Sequence, residues 1–141
     1  MAFDIYAPVS TIMSKKLLTV HPKDTLEEVK EIFDKNKIHH IPVVKFKQIV
    51  GMISKTDLFY FLRGYHNDPS AEIFERNRLQ SFNAGEIMTT GLAKLEPTDK
   101  IVVALEVFKE NLFHAIPVID NGELIGLVTT YDVIKALSES G

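Results

Sequence analysis

The chain has 141 residues, a net charge of −3, 45% hydrophobic and 25% charged residues, the composition of a soluble globular protein with one domain or two small ones. The absence of cysteine excludes disulfides, thiolate catalysis and cysteine-built zinc sites, and the acidic balance offers no whole-chain attraction to nucleic acid. Apolar runs such as residues 49–53 and 124–128 are strand-sized, and residues 1–10 lack the basic start and apolar core of a secretory signal, so a cytoplasmic protein without a membrane span is expected.

In chain order, Leu17 to Val20 reads as a short strand that stops at Pro22. Asp24 then caps a helix, with Glu27 three residues on completing a capping box. Leu26, Val29, Ile32 and Phe33 follow at helical spacing and form its buried stripe. Ile41 to Val44 and Ile49 to Ile53 are β-branched runs separated by Lys45 to Gln48, a hairpin pattern. A second helix starts near Ser54. Gly64 to Ser70 has loop chemistry, and Asp68-Pro69 opens a helix to about Gln80 that buries Ile73, Phe74, Leu79 and Phe82. The same order then recurs, with Asn121-Gly122 as a strong hairpin turn and a last helix starting near Thr129.

The recurrence is an internal repeat. Ile12-Met13 aligns with Ile87-Met88 (87 − 12 = 75), and at the same offset Pro22, Asp24, Phe33 and Asn36 meet Pro97, Asp99, Phe108 and Asn111. His39, Ile41, Pro42, Val43, Gly51 and Asp57 meet His114, Ile116, Pro117, Val118, Gly126 and Asp132. A unit this small buries too little surface to be stable alone. The expected fold is therefore α+β: two tandem β-α-β-β-α units packed with pseudo-twofold symmetry, leaving paired clefts. The expected boundaries are residues 8–63 and 84–138 for the two units, with residues 64–83 as an inserted loop and helix.

The repeated His-x-Ile-Pro-Val, followed by a glycine strand that ends in Gly-apolar-apolar-Ser/Thr-x-x-Asp, resembles the CBS domain family. Seen twice, in order and at identical spacing, the motif is specific; residues 64–82 lie outside it. The resemblance implies a regulatory module that binds AMP, ADP, ATP or S-adenosylmethionine and reports energy or metabolite state to a separate effector protein, with no catalysis of its own.

By itself, Ser54-Lys55-Thr56-Asp57, like Thr129-Thr130-Tyr131-Asp132, is a capping box: a hydroxyl at the cap and a carboxylate three residues later. A helix start also suits phosphate, and a carboxylate suits the vicinal hydroxyls of ribose. The resemblance places Asp57 and Asp132 on ribose and Ser54 and Thr129 near phosphate. It builds the first cleft from Lys16, Leu17, Leu18, Ile38, Met52, Ser54, Thr56 and Asp57, with His114 reaching its phosphate. The second takes Gly91, Leu92, Ala93, Phe113, Leu127, Thr129, Tyr131 and Asp132, with His39 and His40. Pro42 and Pro117 lack the ladder N–H and belong at a strand start or edge.

The copies differ. Lys15, Lys16, His40 and Lys55 face Thr90, Gly91, Ala115 and Thr130 in the alignment, so unequal affinities are expected. The polar Glu27, Glu28, Lys30 and Lys37 of the first helix face Val102, Val103, Leu105 and Leu112, which points to a homodimer, or to cover by the inserted helix. An enzyme is not expected: no hydroxyl residue sits with a His–Asp relay, and no His-x-x-x-His or Glu-x-x-His spacing occurs. No metal site is expected, since the adjacent His39 and His40 point to opposite faces of a strand. The alternative function is a ligand-free dimerisation or partner-docking module.

Overall fold

The computed structural model describes residues 3–63 and 70–140. The chain divides into two compact units, residues 18–91 and residues 1–17 with 92–141. The first unit contains α1 (Leu26–Lys35), a hairpin of β1 (His40–Lys45) and β2 (Gln48–Ser54), and α2 (Lys55–Arg63), followed by α3 (Ala71–Ser81) and the short α4 (Ala84–Ile87). The second contains α5 (Ile101–Lys109), a hairpin of β3 (Ala115–Asp120) and β4 (Glu123–Thr129), and α6 (Thr130–Glu139). A 3-10 turn at Val9–Thr11 belongs to it as well.

Each hairpin is antiparallel, and each slips register once, between Val43 and Val44 and between Val118 and Ile119. Both turns have two residues at positive φ, Phe46 and Lys47 (51° and 65°) and Asn121 and Gly122 (51° and 79°). This is the backbone that matches strand twist. Asn-Gly adopts it readily, whereas Phe46 and Lys47 carry the cost of a Cβ in the left-handed region. Pro42 sits on the outer edge of β1: its carbonyl accepts from Val20 N–H at 3.1 Å, and Val44 N–H reaches the Val20 carbonyl at 2.8 Å. The missing proline N–H thus falls outside the hairpin ladder.

Two expectations are corrected. Leu17 to Val20 is not a strand; only Val20 pairs, in a parallel bridge to Val43. The extended run is cut off by a turn in which His21 N–H donates to Asp24 Oδ2 at 2.8 Å and Asp24 N–H to the His21 carbonyl at 2.9 Å. Asp24 is committed there, so the α1 cap is Thr25, whose side chain accepts from Glu28 N–H at 3.2 Å. The second copy repeats the turn, with Glu96 N–H on Asp99 Oδ2 at 2.8 Å.

The division of the chain does not follow the repeat. Residues 7–14, which lead into the first repeat, pack on the body of the second; residues 82–89, which lead into the second, pack on the body of the first. The hydrogen bonds match pair by pair. Ala84 N–H donates to the Asp24 carbonyl at 2.8 Å, and Val9 N–H to Asp99 at 2.7 Å; Leu26 N–H donates to Phe82 at 3.0 Å, and Ile101 N–H to Ala7 at 2.9 Å. The last two satisfy a free N–H in the first turns of α1 and α5. Thr89 and Met52 exchange backbone hydrogen bonds, as do Ser14 and Leu127. Glycine makes the approach possible: a Cβ on Gly51 would lie 2.8 Å from Met88 Cβ and closer still to its sulfur, and one on Gly126 would lie 3.0 Å from Met13 Cγ.

The expected loop at residues 64–69, with its Asp68-Pro69 helix start, lies outside the described residues. The inserted helix is α3, and it packs on α2 and α1. Arg78 anchors it: its guanidinium lies 4.4 Å from the Phe61 ring centroid and 4.2 Å from that of Phe74, and it donates to the Phe61 carbonyl at 2.8 Å. One side chain thereby combines cation–π stacking with a cap on the last turn of α2. Leu79 and Phe82 join the core. Ile73, expected to be buried, is 63% exposed, because Phe74, Arg78 and Leu79 define the docked face instead.

Replacing Gly51 by alanine is expected to cost about 1–3 kcal/mol by overpacking against Met88. Gly126→Ala is expected to cost less, since the atoms it meets are the far end of Met13. Urea denaturation of both variants checks the order, and equal or negligible losses contradict it.

Candidate functional site

In the first unit the site residues gather where β2 runs into α2. Ser54 ends the strand, and its hydroxyl oxygen accepts from Asp57 N–H at 3.0 Å. Lys55 N–H donates to the His39 carbonyl at 2.9 Å, tying the helix start to the chain just before β1. The Asp57 side chain is exposed, and its carboxylate has no hydrogen-bond or ion-pair partner among the described residues. Half of the expected capping box is thus made. Met52 is buried and Ile38 packs against the core, while Leu18, Thr56 and His39 are exposed.

In the second unit the corresponding residues form a closed box. Thr129 Oγ1 accepts from Asp132 N–H at 3.1 Å, and Asp132 Oδ2 accepts from Thr129 N–H at 2.9 Å. Asp132 Oδ1 is occupied as well, accepting from the Ser14 hydroxyl at 3.0 Å. Asp132 is buried, at 8% exposure. Thr130 N–H donates to the His114 carbonyl at 3.2 Å, the counterpart of Lys55 and His39. Leu127 is buried, Ala93 packs against the core, Leu92 and Phe113 are half-buried, and Tyr131 is exposed.

Of the residues expected around the first cleft, Leu18, Ile38, Met52, Ser54, Thr56 and Asp57 fall in one compact unit; Lys16, Leu17 and His114 belong to the other. Of the second set, Leu92, Ala93, Phe113, Leu127, Thr129, Tyr131 and Asp132 share a unit, and Gly91, His39 and His40 belong to the other. The chain passes between units after Leu17 and after Gly91, and Gly91 turns there at φ 67°. Sequence reasoning missed Ser14 and its counterpart Thr89. The signal was present: a hydroxyl residue follows Ile-Met in both copies, beside the β-strand that carries the site. Among the described residues, no cluster of three or more His, Asp or Glu side chains is placed to hold a metal ion, and no helix is long and apolar enough to cross a membrane.

A duplicated α+β unit with a hydroxyl cap and a carboxylate at the start of each last helix defines the class: a tandem pair of small modules. The chain belongs to the CBS domain family, whose pattern matches residues 9–64 and 84–139. An uncharacterized protein of Methanocaldococcus jannaschii, MJ1225, is 32% identical over 130 residues, covering 88% of this chain and 46% of that protein. The chain spans less than half the length of the curated relatives it matches first. Among solved structures, the CBS-pair protein CBSX2 from Arabidopsis thaliana superposes with a TM-score of 0.81 at 23% identity, covering 94% of this chain and 95% of that one; the same protein has been solved in complex with AMP (TM-score 0.76, 22% identity, 94% and 97% covered). The CBS domain of a bacterial CNNM/CorC family Mg2+ transporter in complex with ATP has a TM-score of 0.77 at 20% identity, covering 97% and 91%.

Each side chain accepts one hydrogen bond, but the Asp132 N–H that Thr129 satisfies is part-buried and the Asp57 N–H that Ser54 satisfies is exposed, so Thr129→Ala is expected to cost about 1–2 kcal/mol of stability, and Ser54→Ala about half of that. Chemical denaturation of the two variants measures this, and a larger loss at Ser54 contradicts it.

Proposed function

We propose that this CBS pair is a regulatory module that binds an adenosine nucleotide (AMP, ADP or ATP) or S-adenosylmethionine and reports its level to an effector protein. The observation that carries the reading is Asp57: an ionisable side chain in the first turn of α2, exposed, without a partner among the described residues, and next to a hydroxyl residue at the helix start. Two acceptor oxygens fit a pair of vicinal ribose hydroxyls, and the adjacent N-terminus of α2 favours phosphate. Relatives in fold solved with AMP and with ATP support the ligand class. In this reading Lys16, Leu17, Leu18, Ile38, Met52, Ser54, Thr56, Asp57 and His114 serve one ligand; Gly91, Leu92, Ala93, Phe113, Leu127, Thr129, Tyr131, Asp132, His39 and His40 serve the other. Lys16 and Lys55 supply positive charge to the first only, so affinities differ.

The test is a thermal-shift and calorimetric panel with AMP, ADP, ATP and S-adenosylmethionine. A specific ligand at a hundredfold its Kd is expected to stabilise the chain by about 2.7 kcal/mol, and Asp57→Ala is expected to remove most of the first binding event. No shift with any of the four ligands contradicts the reading.

The exposed apolar side chains of the second unit favour a further role in association. Leu112 is 73% exposed, and Val103, Tyr131, Ile134 and Leu137 are all open to solvent; Leu105, also expected on this face, packs against its own core instead. A homodimer that covers these residues is the reading we attach to them. Light scattering after size exclusion is expected to give twice the chain mass, and Ile134→Glu to shift it towards the monomer. A monomeric wild-type protein removes the claim.

A further inference from the structure

The two aspartates occupy equivalent repeat positions but are not in equivalent states. Asp132 has both oxygens engaged, Oδ2 by Thr129 N–H and Oδ1 by the Ser14 hydroxyl, and only 8% of the residue is exposed. Asp57 is exposed and unpartnered among the described residues. The Oδ1 part of the difference lies in the leaders. Ser14 and Thr89 are held alike, each exchanging backbone hydrogen bonds with a residue three positions before the helix-starting Thr130 and Lys55, Leu127 and Met52 respectively. Both carry a hydroxyl, yet Ser14 reaches its aspartate and Thr89 has no side-chain partner among the described residues.

We propose that Ser14 is a built-in competitor for the ribose position at Asp132, so that nucleotide loads first at Asp57; the inference rests on the nucleotide reading above. A carboxylate that already accepts two hydrogen bonds, one on each oxygen, presents few lone pairs to a vicinal diol. A ribose entering there must displace the Ser14 hydroxyl and exchange one hydrogen bond for another, with little net gain. At Asp57 the same diol exchanges only with water. The serine can rotate away without moving the leader, because the backbone bonds to Leu127 hold the segment independently of the side chain. Ser14 is thus a positioning residue that sets the order of filling rather than whether the second site fills.

Calorimetric titration of the full chain with AMP tests this. In wild type, two unequal binding events are expected, with the tighter one removed by Asp57→Ala. In the Asp57→Ala background, which isolates the Asp132 site, adding Ser14→Ala is expected to tighten AMP binding about fivefold to tenfold, the net worth of one typical hydrogen bond. Ser14→Cys, similar in size but a weak donor, is expected to act in the same direction. A merely structural role for Ser14 predicts the opposite, weaker binding with a lowered melting temperature. Two equal sites in wild type, or unchanged, weaker or absent AMP binding in both Ser14 variants, overturns this inference alone; a wild-type chain that binds none of the four ligands overturns it together with the reading it rests on.

Discussion

Each unit depends on one close approach: the backbone of its glycine strand against a methionine from a distant leader. Gly51 receives Met88, and Gly126 receives Met13, with no room for a Cβ at either place. Once the leader is seated, its N–H and carbonyl groups complete the caps of α1 and α5 and extend the pairing of β2 and β4. A leader displaced by a side chain at the glycine would leave several backbone groups without partners, and a buried unpaired backbone group costs as much as the hydrogen bond it lacks. The glycines are therefore structural for a reason separate from turn geometry, since neither has a positive φ.

The same leaders position the chemistry. Ser14 lies one residue after Met13, and Thr89 one after Met88, so the seating of each methionine sets the depth of a hydroxyl beside the start of the last helix. The aspartate of each unit then meets, or fails to meet, that hydroxyl. Two hydrogen bonds to the carboxylate, from Thr129 N–H and from the Ser14 hydroxyl, separate the second box from the first.

Much of this was legible in the sequence. The hairpins follow from β-branched runs and, at Asn121-Gly122, from residues that accept left-handed backbone. The starts of α2 and α6 follow from Ser54 and Thr129 with a carboxylate three residues on. The cap of α1 was misread because Asp24 and Thr25 are both good caps, and only the tertiary turn at His21 decides which is free. The turn at Phe46-Lys47 gives no local signal for its conformation; hairpin twist imposes it. The exchange of leaders was invisible for a deeper reason. Ile12-Met13 and Ile87-Met88 are identical, and Gly51 and Gly126 are equivalent receptors, so the sequence supports either partner equally.

That indifference has a consequence for the halves of the chain. A half-length chain carrying a single leader and a single body holds both the methionine and a glycine strand that fits it, and two such chains have the parts to trade leaders in the manner seen here. Carried on one chain, the trade is intramolecular and does not depend on concentration.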